Sequence, residues 1–384
     1  MTRASDTAKL LGAGGSILGS LDIGGGQIGG RRNLIINGAM QVAQRSASVT
    51  GIGASSGYFT LDRWKINTGN SAGRLTMTQT SDGPVGFANC LKLDCTTADT
   101  SIAAGEYLEL QQIFEGQDLQ SIGKGVAGAK EITVSFYVKA NAAFTFGVEL
   151  YDLDNTRQIT KLFNTTTGWV RHEFTFPADV DDGSSPFGDD NLTSMQVTFL
   201  IHSGSNFTGG TLNTTSWANA TNANRAAGID SFYSSTDNNF FLTGVQLEVG
   251  SVATPFEHRS FGEELGLCQR YFYRDQNTTA EYKRYVVLNV DTTVNARGNY
   301  FLPVPMRVHP TLAVVGQLAS YSAGSIRNLS TTLAINPSYA QASVSAGFHT
   351  VCLFAVVGSG QTAGHASGLI ANNAVSSLSF DAEL

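Results

Sequence analysis

The sequence has 384 residues, of which 42% are hydrophobic, 14% are charged and 42 are glycine. Average soluble proteins carry roughly 25% charged residues and about 7% glycine, so this composition favours strands and turns over long charged helices. The net charge is −7 and no basic tract is dense enough to neutralise a row of phosphates, which argues against nucleic acid as a partner. No stretch reaches the roughly 20 apolar residues that cross a bilayer, so membrane insertion is not expected.

The N-terminal segment, residues 1–32, is rich in glycine and serine and has no periodic apolar face. Such a segment cannot build a core of its own, which predicts an arm that is flexible or becomes ordered on a partner. Its apolar residues are interrupted by Gly12, Gly14 and Gly15, unlike the continuous apolar region of a secretory signal. We therefore expect no signal peptide, and synthesis in the cytoplasm.

Short runs with a period of two dominate the middle of the chain. Ile132, Val134 and Phe136 alternate with polar residues, as in a strand with one buried face. Phe146 and Val148 repeat the pattern after a short link, which predicts a hairpin. Further strands are predicted over 61–67, 74–80, 89–97, 106–114, 169–176, 194–202 and 240–249. Ten or so short strands with almost no helical period predict a two-sheet sandwich, specifically a jelly roll.

This jelly-roll domain spans residues 33–258 and includes a long polar stretch, residues 203–239, that we interpret as a partly ordered surface excursion. After the domain, Ser260 and Glu263 have the spacing of a capping box. That spacing predicts a short helical linker over residues 259–270.

The last region, residues 271–384, returns to the period-two pattern. Its predicted strands cover 282–290, 297–304, 311–318 and 349–357. Pro303 and Pro305 must sit at an edge or a bend, because proline cannot donate to a central ladder. The sequence thus predicts an all-β protein with a glycine-rich arm, a jelly-roll β-sandwich and a smaller distal β-sandwich.

Residues with catalytic or metal-binding spacing are sparse. The chain has four cysteines, and none of them forms a CxxC pair. This spacing favours buried free thiols over a zinc site or a disulfide framework. The cysteines are Cys90, Cys95, Cys268 and Cys352. The six histidines have no metal-ligand spacing, and His172 and His202 lie on otherwise apolar faces, which predicts satisfied core histidines. No Ser-His-Asp order or GxSxG motif is readable, so we expect no catalytic residues, no metal and no cofactor.

A loop from Asp179 to Asn191 concentrates oxygen donors of the kind that calcium prefers. The loop lacks the spacing of a known calcium-binding loop. A solvated turn is the favoured interpretation, and a bound ion is the alternative.

Aromatic side chains carry the stronger signal, because a flat apolar ring can pack on the CH face of a sugar. Six residues lie opposite the buried residues of three strands and are candidates to line one open sheet face: Tyr137, Lys139, Glu149, Tyr151, Trp169 and Arg171. A solvated surface and a subunit interface are the alternatives for that face. Trp217, in the polar excursion, is a candidate sugar platform, local anchor or subunit contact, whereas Trp64 shares a strand face with Ile66 and is expected in the core.

Three segments resemble jelly-roll carbohydrate-binding modules. Asn33 to Gln41, NLIINGAMQ, resembles their opening NLIxNGxFE-like strand. Gly168 to Phe176 is similar to their GWxxxxxxF strand, and Phe241 to Val249 to their closing strand. The resemblance implies the jelly-roll fold and carbohydrate binding.

In such modules a glutamate of the opening motif and an aspartate of the last strand often hold a structural calcium. Here those places carry Gln41 and the pair Thr243-Gly244. The resemblance therefore does not imply a calcium site in this chain.

A more specific resemblance is to bacteriophage tail-fibre and appendage proteins. In these, NLIINGAMQVAQR is followed by DRW, here Asp62-Arg63-Trp64. The domain closes with a run like Thr243 to Ser260, then Gly262 to Leu265 and Cys268 to Tyr271. The match covers roughly residues 33–273.

This second resemblance implies a non-enzymatic virion protein, commonly a homotrimer. Residues 1–32 would attach it to other tail or adaptor proteins, and its β domains would face outward to bind host-surface glycans. The low charge and the glycine-rich arm also motivate the trimer. Two alternatives are a structural spacer or decoration fibre without sugar binding, and a glycan depolymerase.

Overall fold

The computed structural model describes residues 22–23, 26–27, 31–180, 185–278, 282–322, 325–328, 333–335, 348–372 and 375–384. Most of the predicted arm lies outside these residues; its described part includes a pair of antiparallel strands, β1 (Asp22–Ile23) and β2 (Gly26–Gln27). The predicted all-β fold class is confirmed in the described part of the chain.

The chain divides into two compact units. The first contains Met1–Gln41, Ser48–Phe59 and Trp64–His258. The second contains Val42–Ala47, Thr60–Arg63 and Arg259–Leu384.

The first unit is a sandwich of two sheets. Its further strands are β3 (Ser48–Ile52), β4 (Gly57–Tyr58), β5 (Lys65–Gly69), β6 (Arg74–Thr80), β7 (Cys90–Thr97), β8 (Tyr107–Glu115), β9 (Ile132–Ala140), β10 (Thr145–Asp152), β11 (Arg157–Asn164), β12 (Val170–Phe176), β13 (Thr193–Ser203), β14 (Ala218–Asn219) and β15 (Asn239–Val249). Sheet 1 has the order β12-β9-β15-β7-β6-β3, and sheet 2 the order β14-β11-β10-β13-β8-β5-β4. Phe136 of sheet 1 meets Phe199 of sheet 2 with ring centroids 5.0 Å apart, so the two sheets share one apolar core.

The predicted hairpin between β9 and β10 is wrong. β9 pairs with β12 and β15 in sheet 1, whereas β10 pairs with β11 and β13 in sheet 2. The link at residues 141–144 therefore carries the chain from one sheet to the other, and Phe136 and Phe146 are both buried in the shared core. Alternation identifies a strand with one buried face, but it does not say whether the next strand lies beside it or across the core.

The opening NLIxNG segment is held against the closing strand β15. The buried Asn33 side chain donates to Val245 O at 3.1 Å and accepts from Leu247 N at 3.0 Å. Gly38 lies against the same strand, where an added Cβ would come 2.1 Å from Val245 O. The opening segment, which resembles that of carbohydrate-binding modules, therefore packs against the last strand of the sandwich.

The polar excursion, residues 203–239, contains short elements rather than a featureless loop. These are helix α1 (Ser205–Thr208), strand β14, and one-turn 3₁₀ helices at Asn222–Asn224 and Phe232–Ser234. Phe232 and Tyr233 are buried within the first unit. Two further 3₁₀ turns follow β8, at Gly116–Asp118 and Gln120–Ile122.

The second unit begins its main segment with helix α2 (Phe261–Gln269), and Ser260 accepts from Glu263 N, as the capping box predicts. Its strands are β16 (Phe272–Gln276), β17 (Arg284–Val290), β18 (Asn295–Met306), β19 (Thr311–Val315), β20 (Leu318–Ser322), β21 (Ser325–Asn328), β22 (Ala334–Ile335), β23 (Phe348–Val356), β24 (Ala366–Ala371) and β25 (Ser377–Asp381). They form sheets of order β16-β25-β19 and β21-β20-β24-β17-β18-β23-β22. Tyr300 of one sheet stacks on Phe380 of the other at 5.0 Å, within a common core.

Pro303 and Pro305 lie where the pairing of β18 with β23 shifts register, between Phe301 and Met306. This irregularity agrees with the predicted bend. A proline has no N–H to donate, so a break in the ladder accommodates it.

Several side-chain predictions have clear outcomes. All four cysteines are free and buried, and Trp64 is fully buried with its indole N–H donating to Asn37 O at 3.1 Å. His202 is buried and bonded on both ring nitrogens, and His172 Nε2 lies 2.9 Å from Asn164 O. His202 is therefore a satisfied core histidine, as predicted, whereas His172 is half-buried and has a partner on its Nε2.

The loop from Asp179 to Asn191 is predicted to be a solvated turn, and this prediction is wrong at the first residue of the loop. Asp179 is buried and accepts from Arg157 Nε at 2.8 Å and Nη2 at 2.9 Å. Lys124 Nζ lies 3.8 Å from the same carboxylate, so Asp179 serves a buried ion-pair network. Residues 181–184 of the loop lie outside the described residues.

Candidate functional site

The predicted sugar-binding residues do not share one face. Tyr137, Trp169 and Arg171 belong to the outer side of sheet 1, whereas Glu149 and Tyr151 project from the outer side of sheet 2. This division follows from the corrected pairing of β9 and β10. The two sets are therefore two separate candidate surfaces, on opposite sides of the sandwich.

On sheet 1, the candidate residues are engaged by their neighbours. Lys139 Nζ lies 5.2 Å from the Trp169 ring centre and pairs with Asp82 at 2.5 Å. Arg171 donates to Thr254 O at 2.8 Å and lies 6.0 Å from the Tyr137 ring centre. The cations of this face thus already have protein partners.

Trp217 is buried, with 8% of its surface exposed, and its indole N–H donates to Pro177 O at 2.8 Å. A ring in this position anchors the excursion locally. This placement agrees with the local-anchor alternative for Trp217 and offers no open platform for a sugar.

On sheet 2, strand register brings polar residues together into two rows. Tyr151 pairs with Gln158 on one side and with Gln196 on the other. Glu149, two residues away on the same side of β10, is opposite Thr198, and Thr198 is opposite Gln111. We call this set the polar face: Gln111, Glu149, Tyr151, Gln158, Gln196 and Thr198. Its members alternate with core residues such as Val148 and Leu150, and all but Tyr151 are buried.

Arg225, from the polar excursion, closes over part of the polar face. Its Nε donates to Glu149 Oε1 at 3.0 Å and its Nη2 to Oε2 at 2.6 Å, while Glu109 Oε1 lies 3.1 Å from Nη2. The guanidinium carbon also lies 5.1 Å from the Tyr151 ring centre. The planar guanidinium supplies hydrogen bonds and a positive charge to both buried carboxylates, and its rigid arrangement of N–H groups fixes their relative positions.

The electrostatics of this group follow from its burial. Burial raises the pKa of the Glu149 carboxyl, and the attraction of Arg225 offsets only part of that effect. Burial opposes the charged form of Arg225, but Glu149 and Glu109 outweigh it and raise the pKa of the guanidinium. Burial also raises the pKa of Tyr151, so its hydroxyl stays protonated and able to donate at neutral pH.

Several polar groups of the face have no partner within the described residues. Gln158 Oε1 and Thr198 Oγ1 are fully buried and accept or donate no hydrogen bond there. The Tyr151 hydroxyl and the Gln196 amide likewise make no hydrogen bond to the described part of the chain. Buried polar groups are nearly always paired, because an unpaired one costs about 1–3 kcal/mol. The polar face therefore has unused donors and acceptors beside an aromatic ring.

Sequence reasoning missed Gln111, Gln158, Gln196, Thr198 and Arg225 as site residues. β11, which carries Gln158, is absent from the strands predicted by alternation, and Arg225 lies in a stretch without periodicity. Gln196 and Thr198 alternate with the apolar residues Val197 and Phe199 in β13, and this alternation is the sequence pattern from which they could have been selected.

Within the described residues, no group of three or more His, Cys, Asp or Glu side chains is placed to hold a metal ion. Thr243, at one of the positions compared with a calcium ligand, donates instead to Asn89 O at 2.8 Å. No helix of the described part of the chain has the length and hydropathy needed to span a membrane.

No protein-family model and no curated protein sequence match this chain. Among solved structures, the chain is similar to a carbohydrate-binding module titled "CBM4 structure and function", at 12% identity and a TM-score of 0.29 over 56% of this chain and 97% of that one. It is similar to TmCBM61 in complex with β-1,4-galactotriose at 12% identity and a TM-score of 0.27, over 57% and 99%. It also matches the enzymatically active domain of bacteriophage CBA120 tailspike protein 4 at 10% identity and a TM-score of 0.29, over 56% of this chain and 21% of that one. Likenesses at these scores do not bear on the function of this chain.

Proposed function

We propose that this protein binds a carbohydrate on the polar face of sheet 2. The observation that carries the proposal is the pair of buried, unpartnered polar atoms, Gln158 Oε1 and Thr198 Oγ1, beside the partly exposed Tyr151. A sugar offers hydroxyl groups that both donate and accept, and a CH face that packs on an aromatic ring. Tyr151 supplies a partly exposed ring, and the buried donors and acceptors of Gln158 and Gln196 lie beside it on the neighbouring strands.

We further propose that the chain is a tail-fibre-like virion protein that forms a homotrimer. The support is the sequence resemblance of residues 33–45, 62–64 and 243–271. Residues 1–32 would attach the trimer to the particle, and the sandwich would bind host-surface glycans. Several weak sites on one particle would gain affinity from high effective concentration.

Binding to an array of immobilised bacterial lipopolysaccharides and capsular polysaccharides tests the first proposal. The wild-type protein should bind at least one of them saturably. Tyr151→Ala and Gln196→Ala should weaken that binding by about tenfold or more, since a lost hydrogen bond or ring contact is worth about 1–2 kcal/mol.

Trp169→Ala is the matched control, because it removes an aromatic ring from the outer side of sheet 1 and should leave binding unchanged. The reverse pattern, with Trp169→Ala harmful and Tyr151→Ala neutral, would move the site to sheet 1. Absence of saturable binding to any polysaccharide would favour the structural spacer. New reducing ends in the incubated polysaccharide would instead identify a depolymerase.

A further inference from the structure

Three polar side chains that are far apart in sequence meet at the end of strand β13. His202 Nδ1 lies 2.8 Å from Ser231 Oγ, and His202 Nε2 lies 3.3 Å from Glu106 Oε2. Glu106 directly precedes β8, and Ser231 belongs to the polar excursion. All three residues belong to the first unit.

The hydrogen bonds of Glu106 decide which nitrogen of His202 carries the proton. An ionised carboxylate only accepts hydrogen bonds. Glu106 Oε1 accepts from Ala103 N at 2.9 Å, and Oε2 accepts from His202 Nε2. The lone pair of the neutral ring is therefore on Nδ1, and the Ser231 hydroxyl donates to it. This is the arrangement in which an imidazole can take a proton from a serine.

The surroundings keep the imidazole neutral. His202 is fully buried, and its ring packs edge-on against Tyr233 with centroids 5.1 Å apart. Burial lowers the pKa of His202, although the nearby Glu106 and Asp99 carboxylates act in the opposite direction. At neutral pH the ring is thus free to act as a base.

Ser231 is the member of the group that reaches the surface, since its residue is partly exposed while His202 and Glu106 are buried. It stands at the N-cap position of the 3₁₀ helix Phe232–Ser234, where a serine side chain commonly accepts from a backbone N–H. Here the hydroxyl makes no such bond and is directed to His202 instead.

From this geometry we propose that Ser231 is an activated nucleophile for acyl transfer, with His202 as its general base and Glu106 as the residue that positions the base. The substrate class is small esters, including acyl esters of sugar hydroxyls. Ser231 Oγ bonds to the carbonyl carbon as its proton passes to His202 Nδ1. The bond from that carbon to the alkoxy oxygen then breaks, and the alcohol leaves with the proton. Water repeats the attack on the acyl-serine, which releases the carboxylic acid and restores Ser231.

Reaction with a fluorophosphonate probe, followed by peptide mass spectrometry, tests the proposal on the full-length protein. The probe should attach to Ser231 of the wild type, and Ser231→Ala should remove that adduct together with hydrolysis of p-nitrophenyl acetate. Ser234→Ala is the matched control, since Ser234 is exposed three residues further on and should leave both signals unchanged. A folded wild-type protein whose Ser231 stays unlabelled would overturn the proposal.

The role of Glu106 has its own readout. Glu106→Gln should lower the labelling rate on the order of 100-fold, because an amide can hold the ring in the wrong tautomer. In the wild type, the labelling rate should fall at low pH as His202 becomes protonated. Glu106→Asp should recover part of the rate with the same pH profile. Equal rates and pH profiles for the wild type and Glu106→Gln would show that Glu106 has only a structural role.

Discussion

The carboxylate of Glu149 and the guanidinium of Arg225 form a two-pronged ion pair, with separations of 3.0 Å and 2.6 Å. The pair connects the middle of sheet 2 to the polar excursion. It also sets the guanidinium over Tyr151, the ring that the proposed carbohydrate would contact. A segment without strand or helix periodicity thus contributes a central part of the candidate site.

Removal of Arg225 should destabilise the first unit. Arg225→Met leaves the Glu149 and Glu109 carboxylates buried without their counter-charge, and breaking a buried pair in this way costs about 3–5 kcal/mol. Urea unfolding followed by circular dichroism measures the free energy of unfolding. The double variant Arg225→Met, Glu149→Gln should recover part of the loss.

Lys92→Met provides the comparison, because Lys92 pairs with Asp94 at 2.8 Å with both side chains about one third exposed. Exposed pairs contribute about 0–1 kcal/mol, so this variant should unfold close to the wild type. Equal losses for Arg225→Met and Lys92→Met would contradict a special role for the buried pair.

The sequence predicts the positions of most strands well. β13, for example, is expected over 194–202 and is observed at Thr193–Ser203. Alternation works here because each strand has one face in the core. It carries no information about which strands pair, and this is why it suggests a hairpin at the link between β9 and β10.

In the candidate site, too, the sequence reveals the residues that follow a local pattern but not those that depend on long-range contacts. Glu149 and Tyr151 can be selected because they alternate with the core residues Val148 and Leu150. Arg225 cannot, because its role depends on contacts with strands that are distant in the chain. The group of Glu106, His202 and Ser231 is equally hidden, since its order in the sequence matches no familiar motif.

Gly38 should be essential to the closure of the first sandwich. An added Cβ would lie 2.1 Å from Val245 O, a backbone atom that cannot move without disturbing β15. Gly38→Ala is expected to cost about 1–3 kcal/mol or more of unfolding free energy, measured in urea. Gly128→Ala is the control, because nothing lies within 4 Å of its added Cβ. A Gly38→Ala protein as stable as Gly128→Ala would show that this closure tolerates a side chain.

The four cysteines should be unreactive in the native protein. Burial raises the pKa of Cys90 to about 12 and that of Cys95 to about 11, and it also raises the pKa of Cys268 and Cys352. The thiolate is the reactive form, and little of it exists at pH 8. Ellman's reagent should therefore detect almost no thiol until denaturant is added, and then four per chain. Rapid reaction of the folded protein would contradict this burial.

Asp62, in the second unit, should make stability depend on pH. Burial raises the pKa of its carboxyl from 3.8 to about 7, although Arg45 and a hydrogen bond from Gln44 act in the opposite direction. The folded protein therefore binds more protons than the unfolded chain between about pH 4 and pH 7. This contribution to stability is fully present below about pH 4 and is lost as pH rises through about 7.

The difference between the two pKa values corresponds to roughly 4 kcal/mol, at about 1.4 kcal/mol per pKa unit. Asp62→Asn removes the titrating group and should gain stability relative to the wild type as pH rises from 5 to 8, measured by urea unfolding of the second unit. Gln276→Ala changes an exposed, non-ionisable side chain of the same unit and should parallel the wild type across this range. A pH dependence of Asp62→Asn that also parallels the wild type would show that Asp62 stays ionised in the folded protein, and that Arg45 and Gln44 compensate fully for its burial.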